Sequence, residues 1–340
     1  MNPIRVGVIG LGRMGQQHCR VYSTLRRVQL SGVHDVNAEL GRSVAQRLDA
    51  PFFSRIEDLL QEVDAVSLVT PTPSHYDLAM MCLEHGVHLL VEKPITETLE
   101  QADALTRAAE ESGLVVQVGH IERFNPAYIE MKNVLEDLTV LAVNFRRLSA
   151  YAGSNTDVNV VLDLMIHDLD LVLELIGEEP VEIAAYGLTA TGNAVDHVNV
   201  QLSFPSGPLV SLTASRLTEQ KVRAIDVTAW EAYVEADLLH KSVDIHRRTI
   251  GQYLNHNKRG VKYRQESLLE RILVPVVEPL FSELQHFVES VAEKKTPLVT
   301  PRDGMKALRL ATQICEAAER RMIFARAGEL SPGLSTSKSQ

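Results

Sequence analysis

Ile4-Arg5-Val6-Gly7-Val8-Ile9-Gly10-Leu11-Gly12-Arg13-Met14-Gly15 takes an apolar strand straight into three glycines spaced G-x-G-x-x-G. A second apolar run, Val28–His34, ends at Asp35, twenty residues past Gly15. Glycines at this spacing also make ordinary turns, but the strand before them, the helix after them and the distant acid together read as a dinucleotide-binding βαβ unit. Gly10 permits the tight turn, Gly12 lets the backbone approach a pyrophosphate, and Gly15 lets the helix pack close to the strand. The helix N-terminus adds N–H groups and a favourable dipole. At Asp35 a carboxylate can accept hydrogen bonds from ribose hydroxyls and repel a 2′-phosphate, so NAD is expected rather than NADP.

Working outward, strand and helix alternate to about residue 120, the mark of a doubly wound parallel α/β sheet. The apolar runs Ile4–Ile9, Val28–His34, Ala65–Val69, His88–Val91 and Val115–Val118 are its expected strands, and Pro73–Glu84 and Leu99–Glu111 have helical patterns. Functional residues of such sheets lie beyond the strand C-termini. The chain places Gly10, Asp35, Thr70-Pro71 and Glu92-Lys93-Pro94 there.

Beyond residue 120 the pattern becomes a helix near Asn125–Leu138, a strand near Val140–Tyr151, another helix and then alternating strands, which reads as an α+β domain with an open, mostly antiparallel sheet. Val198, Val200, Leu202 and Phe204 alternate with polar residues, as in a sheet with one buried face and one left for solvent or a partner. Apolar residues at helical spacing mark two late helices, about Glu278–Glu293 and Arg302–Arg326. The expected domains are 1–122, 123–330 and a mobile tail at 331–340, with the basic stretch Asn255–Arg264 a solvated loop.

The 340 residues are 45% hydrophobic, enough for two globular cores. Net charge is −10 and the basic residues are scattered, so nucleic acid is not an expected partner. Cys19, Cys82 and Cys315 have neither disulfide nor zinc spacing, so no metal is expected and buried reduced thiols are. The chain enters its first strand at once and has no membrane-length apolar run, which makes a cytoplasmic protein with no membrane partner the expectation.

Two further clusters carry chemistry. In Leu162–Gly177 an apolar helical face runs beside Asp163, His167, Asp170 and Glu174, spaced i, i+4, i+7 and i+11. The same spacing makes a plain solvated face. Alternatively, Asp163 orients His167, whose near-neutral pKa suits it to accept a hydroxyl proton. Lys93 precedes Pro94, which disfavours helical backbone at the lysine. Its ammonium can lower the pKa of a substrate hydroxyl or simply pair with Glu92.

Together, Gly10–Gly15, Thr70-Pro71-Thr72-Pro73-Ser74-His75, Glu92-Lys93-Pro94, His120–Pro126 and Asp163 with His167 and Asp170 resemble the Gfo/Idh/MocA family of sugar and polyol dehydrogenases over nearly the whole chain. The resemblance implies a Rossmann domain, a C-terminal α/β domain whose open sheet forms homodimers or homotetramers, and a tightly held NAD(H) or NADP(H). It implies a catalytic group of Lys93, Asp163 and His167, and a cis bond before Pro94. Cofactor contacts fall to Gly10, Gly12, Arg13, Met14, Gly15, Asp35, Thr70, Pro71, Pro73, His75, Glu92 and Lys93. Substrate contacts fall to Lys93, His120, Arg123, Asn125, Arg146, Asp163 and His167; Arg146 and Arg147, together on a strand, can meet a diphosphate or be plain surface residues.

Met165 stands two residues after Asp163, where many members have glycine, and this turns the resemblance away from inositol enzymes. Asp163–Asp170 and His120–Pro126 look like the branch that oxidises the 3-hydroxyl of UDP-N-acetylglucosamine. A free-sugar, inositol or polyol dehydrogenase and a dinucleotide-holding regulatory protein are the alternatives.

Overall fold

Five short apolar runs form a wholly parallel sheet in a computed structural model of the chain, which describes residues 3–150, 158–190, 194–249 and 266–324. Its strands are β1 (Ile4–Ile9), β2 (Val28–His34), β3 (Ala65–Leu68), β4 (His88–Glu92) and β5 (Val116–Gly119), in the order β2-β1-β3-β4-β5. Burial is complete along β3 and β5, as a sheet covered on both faces requires. Between and after the strands run α1 (Arg13–Tyr22), α2 (Ala38–Leu48), α3 (Ile56–Glu62), α4 (His75–Glu84) and α5 (Leu99–Ser112). Local chemistry sets their ends. The Asn37 side chain accepts the Glu39 and Leu40 N–H groups to start α2, and Thr98 and Gln101 cap each other's backbone to start α5.

The second sheet has nine strands among the described residues, in the order β13-β12-β11-β10-β6-β9-β8-β7-β14. They are β6 (Val140–Leu148), β7 (Glu182–Thr189), β8 (His197–Ser203), β9 (Leu209–Ser215), β10 (Val222–Ala229), β11 (Ala232–Asp237), β12 (Ser242–Thr249), β13 (Glu266–Ile272) and β14 (Met322–Phe324). Only the β6–β9 and β7–β14 pairs are parallel. Val198, Val200 and Leu202 are buried while Asn199 and Gln201 are exposed, so one face carries core and the other is open, as the alternation predicts. The helices here are α6 (Pro126–Leu135) and α7 (Ile166–Ile176), the latter entered through a π-helical turn at Val161–Met165.

The late helices are α8 (Pro279–Glu293) and α9 (Pro301–Glu319). The expected continuation of the last helix to Arg326 is not realised. Met322–Phe324 pairs with β7 instead, because a short apolar run satisfies the backbone groups of a sheet edge. The chain forms two compact units, Met1–Ile129 with Pro275–Arg309, and Glu130–Val274 with Leu310–Gln340. Helix α8 therefore serves the first unit, where Leu284 and Phe287 join a buried cluster with Val6, Val8, Cys19 and Tyr22.

All three cysteines are free, and burial pushes the Cys19 and Cys82 thiols up to about 12, which leaves them protonated at neutral pH. Among the described residues no group of His, Cys, Asp and Glu is placed to hold a metal, and no helix is long and apolar enough to cross a membrane. The stretch 255–264 and the tail 331–340 lie outside the described residues.

Candidate active site

The glycine loop is shaped by what surrounds each position. Gly10 has φ +91°, and a Cβ there would lie 2.6 Å from the Val69 carbonyl oxygen, so the loop after β3 excludes any side chain. At Gly15 a Cβ would come within 1.9 Å of the Gly10 carbonyl oxygen. Gly12 is different: a Cβ there would meet nothing within 4 Å. That open space lies at the start of α1, whose N-cap is Gly12 and whose first turn no side chain caps. A cradle of this kind fits a pyrophosphate, with the first-turn N–H groups of Arg13 and Met14 beneath it.

Asp35 is tied into the same loop. One carboxylate oxygen accepts Leu11 N–H at 2.7 Å and the other accepts Asn37 N–H at 2.8 Å. Each oxygen accepts one main-chain N–H, which leaves further lone pairs for ribose hydroxyls. The donor set fits NAD.

Thr70 and Pro71 follow β3, and Pro73 lies in a short 3-10 turn, Thr72–Ser74, where Ser74 donates to Thr70 Oγ1 at 2.8 Å. His75 is buried, with Nε2 2.8 Å from the Thr70 carbonyl oxygen and Nδ1 2.9 Å from that of Pro94. Its ring thus lies between two loops. Glu92, at the end of β4, meets His18 at 3.1 Å. Lys93 is half-buried, and the Lys93–Pro94 bond is cis, as the resemblance implies.

His120, Arg123 and Asn125 are all buried just after β5. The Asn125 side-chain oxygen accepts Ala127 N–H at 3.1 Å in the first turn of α6, and its nitrogen donates to Glu122 at 2.9 Å. Its amide shapes the chain locally.

In the second unit Asp163 sits on the π-helical turn and His167 in the first turn of α7, both partly exposed. The stripe they begin is not one solvated face: Asp170 is 1% exposed, and Glu174 pairs with Lys132 of α6. The sheet beside α7 contributes Arg147, which forks onto both oxygens of Asp168 with contacts from 2.6 to 2.9 Å. Strand parity then turns Arg146 to the opposite face, where it pairs with Asp226 at 3.1 Å. Arg146 therefore lies on the face away from α7. The sequence reading missed His18, whose signal was its place three residues after Gly15 on the buried side of α1. It also missed the Arg147–Asp168 pair, because nothing local links a strand arginine to a helix aspartate twenty-one residues on.

A glycine cradle, an acid beside it and a strand-end lysine on a parallel sheet define a dinucleotide-dependent oxidoreductase of the Rossmann class. Residues 4–120 match the GFO/IDH/MocA oxidoreductase family with its NAD-binding Rossmann fold, and residues 143–234 match that family's C-terminal domain. The chain is 34% identical over 318 residues to UDP-N-acetylglucosamine 3-dehydrogenase of Acidithiobacillus ferrooxidans, covering 93% of this chain and 97% of that one. A solved structure of that A. ferrooxidans enzyme superposes with a TM-score of 0.85 at 33% identity, over 94% of this chain and 99% of the other. Scyllo-inositol 2-dehydrogenase of Bacillus subtilis is 27% identical, covering 88% of this chain and 90% of its own. The chain belongs to the GFO/IDH/MocA oxidoreductase family. It is an enzyme acting on CH–OH groups, and its cofactor is NAD.

Proposed function

We propose that this enzyme oxidises the 3-hydroxyl of UDP-N-acetylglucosamine to a 3-keto sugar. The observation that carries the substrate is the 34% identity over 93% of the chain to an enzyme of that name, against 27% to the scyllo-inositol enzyme. Bound NAD supplies the acceptor for the hydride that leaves the carbinol carbon. His167 takes the hydroxyl proton, Asp163 one helical turn earlier orients the imidazole, and the Lys93 ammonium stabilises the developing alkoxide. His120, Arg123 and Asn125 contribute the walls that hold the sugar. Removing the imidazole in His167→Ala should cut turnover by about 10²–10⁴-fold while NAD binding persists. Wild-type turnover in that variant would remove His167 from the reaction.

The substrate is tested with purified protein, NAD, and a panel of UDP-sugars, free sugars and inositols, with a step that consumes the ketone. NADH absorbance with UDP-N-acetylglucosamine supports the reading. NADH formed only with a free sugar or inositol overturns it.

For assembly we propose a homodimer or homotetramer through the open face of the nine-stranded sheet. Asn199, Gln201, Ser211 and Thr213 lie there in a polar row, with Tyr186 52% exposed beside them. Light scattering on the purified protein checks it. A cytoplasmic location is proposed with it, to be checked by cell fractionation.

A further inference from the structure

Lys93 stands between two residues that buried histidines hold. On its N-terminal side, Glu92 Oε1 lies 3.1 Å from His18 Nε2, and Glu92 Oε2 accepts the Lys93 N–H at 3.2 Å. The His18 side chain is wholly buried on α1, three residues past Gly15, and its ring stands at 72° to that of Tyr22. Gly119 leaves the recess for the carboxylate, since a Cβ there would be 3.0 Å from Glu92 Cδ and Oε2. Burial works against the charged form, but the His18 hydrogen bond, with the charges of His18 and Lys93, holds the Glu92 carboxyl below its ordinary value. Glu92 is therefore an ionised acceptor at neutral pH.

On the other side, the Pro94 carbonyl faces His75 Nδ1 at 2.9 Å while His75 Nε2 faces the Thr70 carbonyl at 2.8 Å. Carbonyl oxygens only accept, so the ring supplies the hydrogen in either contact. The histidines come from different helices, α1 after the glycine loop and α4 after the Thr70 loop. Neither ring is exposed to meet a ligand.

We propose that His18 and His75 are positioning residues that fix the Lys93 ammonium for hydroxyl oxidation by holding the backbone on each side of it. The proposal rests on the role given to Lys93 above. A lysine displaced by about 1 Å would still leave the cofactor cradle intact but would meet the developing alkoxide poorly. The effect belongs in kcat, not in NAD affinity.

The test is steady-state kinetics with NAD and UDP-N-acetylglucosamine, together with NAD titration by fluorescence, on His18→Leu, His75→Leu and Lys93→Met, alone and combined. Each leucine variant should lower kcat by about tenfold or more with NAD affinity held within about threefold. His18→Gln, whose amide N–H can reach Glu92, should recover most of the loss. In the Lys93→Met background either leucine change should alter kcat by less than about twofold, since the group it positions is gone. Should His18→Leu fail to fold, His18→Gln against the shorter His18→Asn carries the same contrast. The proposal is overturned if His18→Leu and His75→Leu keep wild-type kcat, or if their losses multiply with that of Lys93→Met. Wild-type kcat in Lys93→Met itself overturns the underlying role of the lysine and is told apart by that variant alone.

Discussion

Carboxylates at the strand ends of the parallel sheet differ in their partners from three acids of the second unit. At the strand ends of the parallel sheet, Asp35 accepts main-chain N–H groups of Leu11 and Asn37, and Glu92 accepts that of Lys93. In the second unit Asp168 pairs with Arg147, Asp226 with Arg146 and Asp196 with Arg216. A carboxylate bonded to a neutral N–H group shapes a loop, and one bonded to a guanidinium holds elements together. Neither habit belongs to one unit alone: Glu231 and Asp237 in the second unit also accept main-chain N–H groups, and Asp64 in the first pairs with Arg5. The difference teaches that a carboxylate's partner shows what it holds, and that a place at a strand end of the parallel sheet is what marks a ligand-facing loop.

The largest effect should come from the scaffold side. Asp168→Ala removes the buried acid that forks onto Arg147, whose side chain is 4% exposed, and unfolding by denaturant should show a loss of about 3–5 kcal/mol. An unchanged midpoint would break the comparison. Asp35→Ala should act on binding instead, weakening NAD by about 1.5–3 kcal/mol in calorimetric titration and narrowing its preference over NADP. NAD affinity equal to wild type would remove Asp35 from the cofactor site.

Acid sharpens the contrast further. Because the folded Glu92 carboxyl titrates below its ordinary value of 4.5, its contribution to stability is complete above that pH and is lost as pH falls through the lower folded value. Glu92→Gln should therefore differ in stability from the wild type by a constant amount near neutrality, and the gap should close below about pH 4.5. A gap independent of pH would mean the carboxylate charge does nothing there. Smallest of all is Arg146→Ala, which removes an ion pair with an arginine side chain 45% exposed and should cost no more than about 1 kcal/mol in thermal unfolding. Turnover should also stay near wild type, since Arg146 lies on the face away from α7.

How far the sequence could be read depended on the range of the physics involved. Glycine spacing, the acid twenty residues on and the alternation along β8 act within one or two elements, so their residue types betray them. The parallel sheet, NAD, and the loops at Gly10, Asp35, Thr70 and Glu92 followed from these. What a titratable side chain does was harder to read, because a histidine or arginine has the same sequence appearance whether it meets solvent, backbone or another charge. His75 reads in the sequence as a ligand contact, and nothing local shows that its ring lies between the Thr70 and Pro94 carbonyls, residues five and nineteen positions away.

The chain by itself determined the fold class, the cofactor and the family, since these rest on local pattern and on backbone that only glycine or an aspartate at a strand end can supply. Tertiary structure alone decided which arginine of the Arg146-Arg147 pair is buried, that α8 packs with the first unit, and that His18 reaches Glu92 seventy-four residues away. Each of these depends on which surfaces the strand register and helix packing bring together, and a side chain's partner is set by that meeting rather than by its neighbours in sequence.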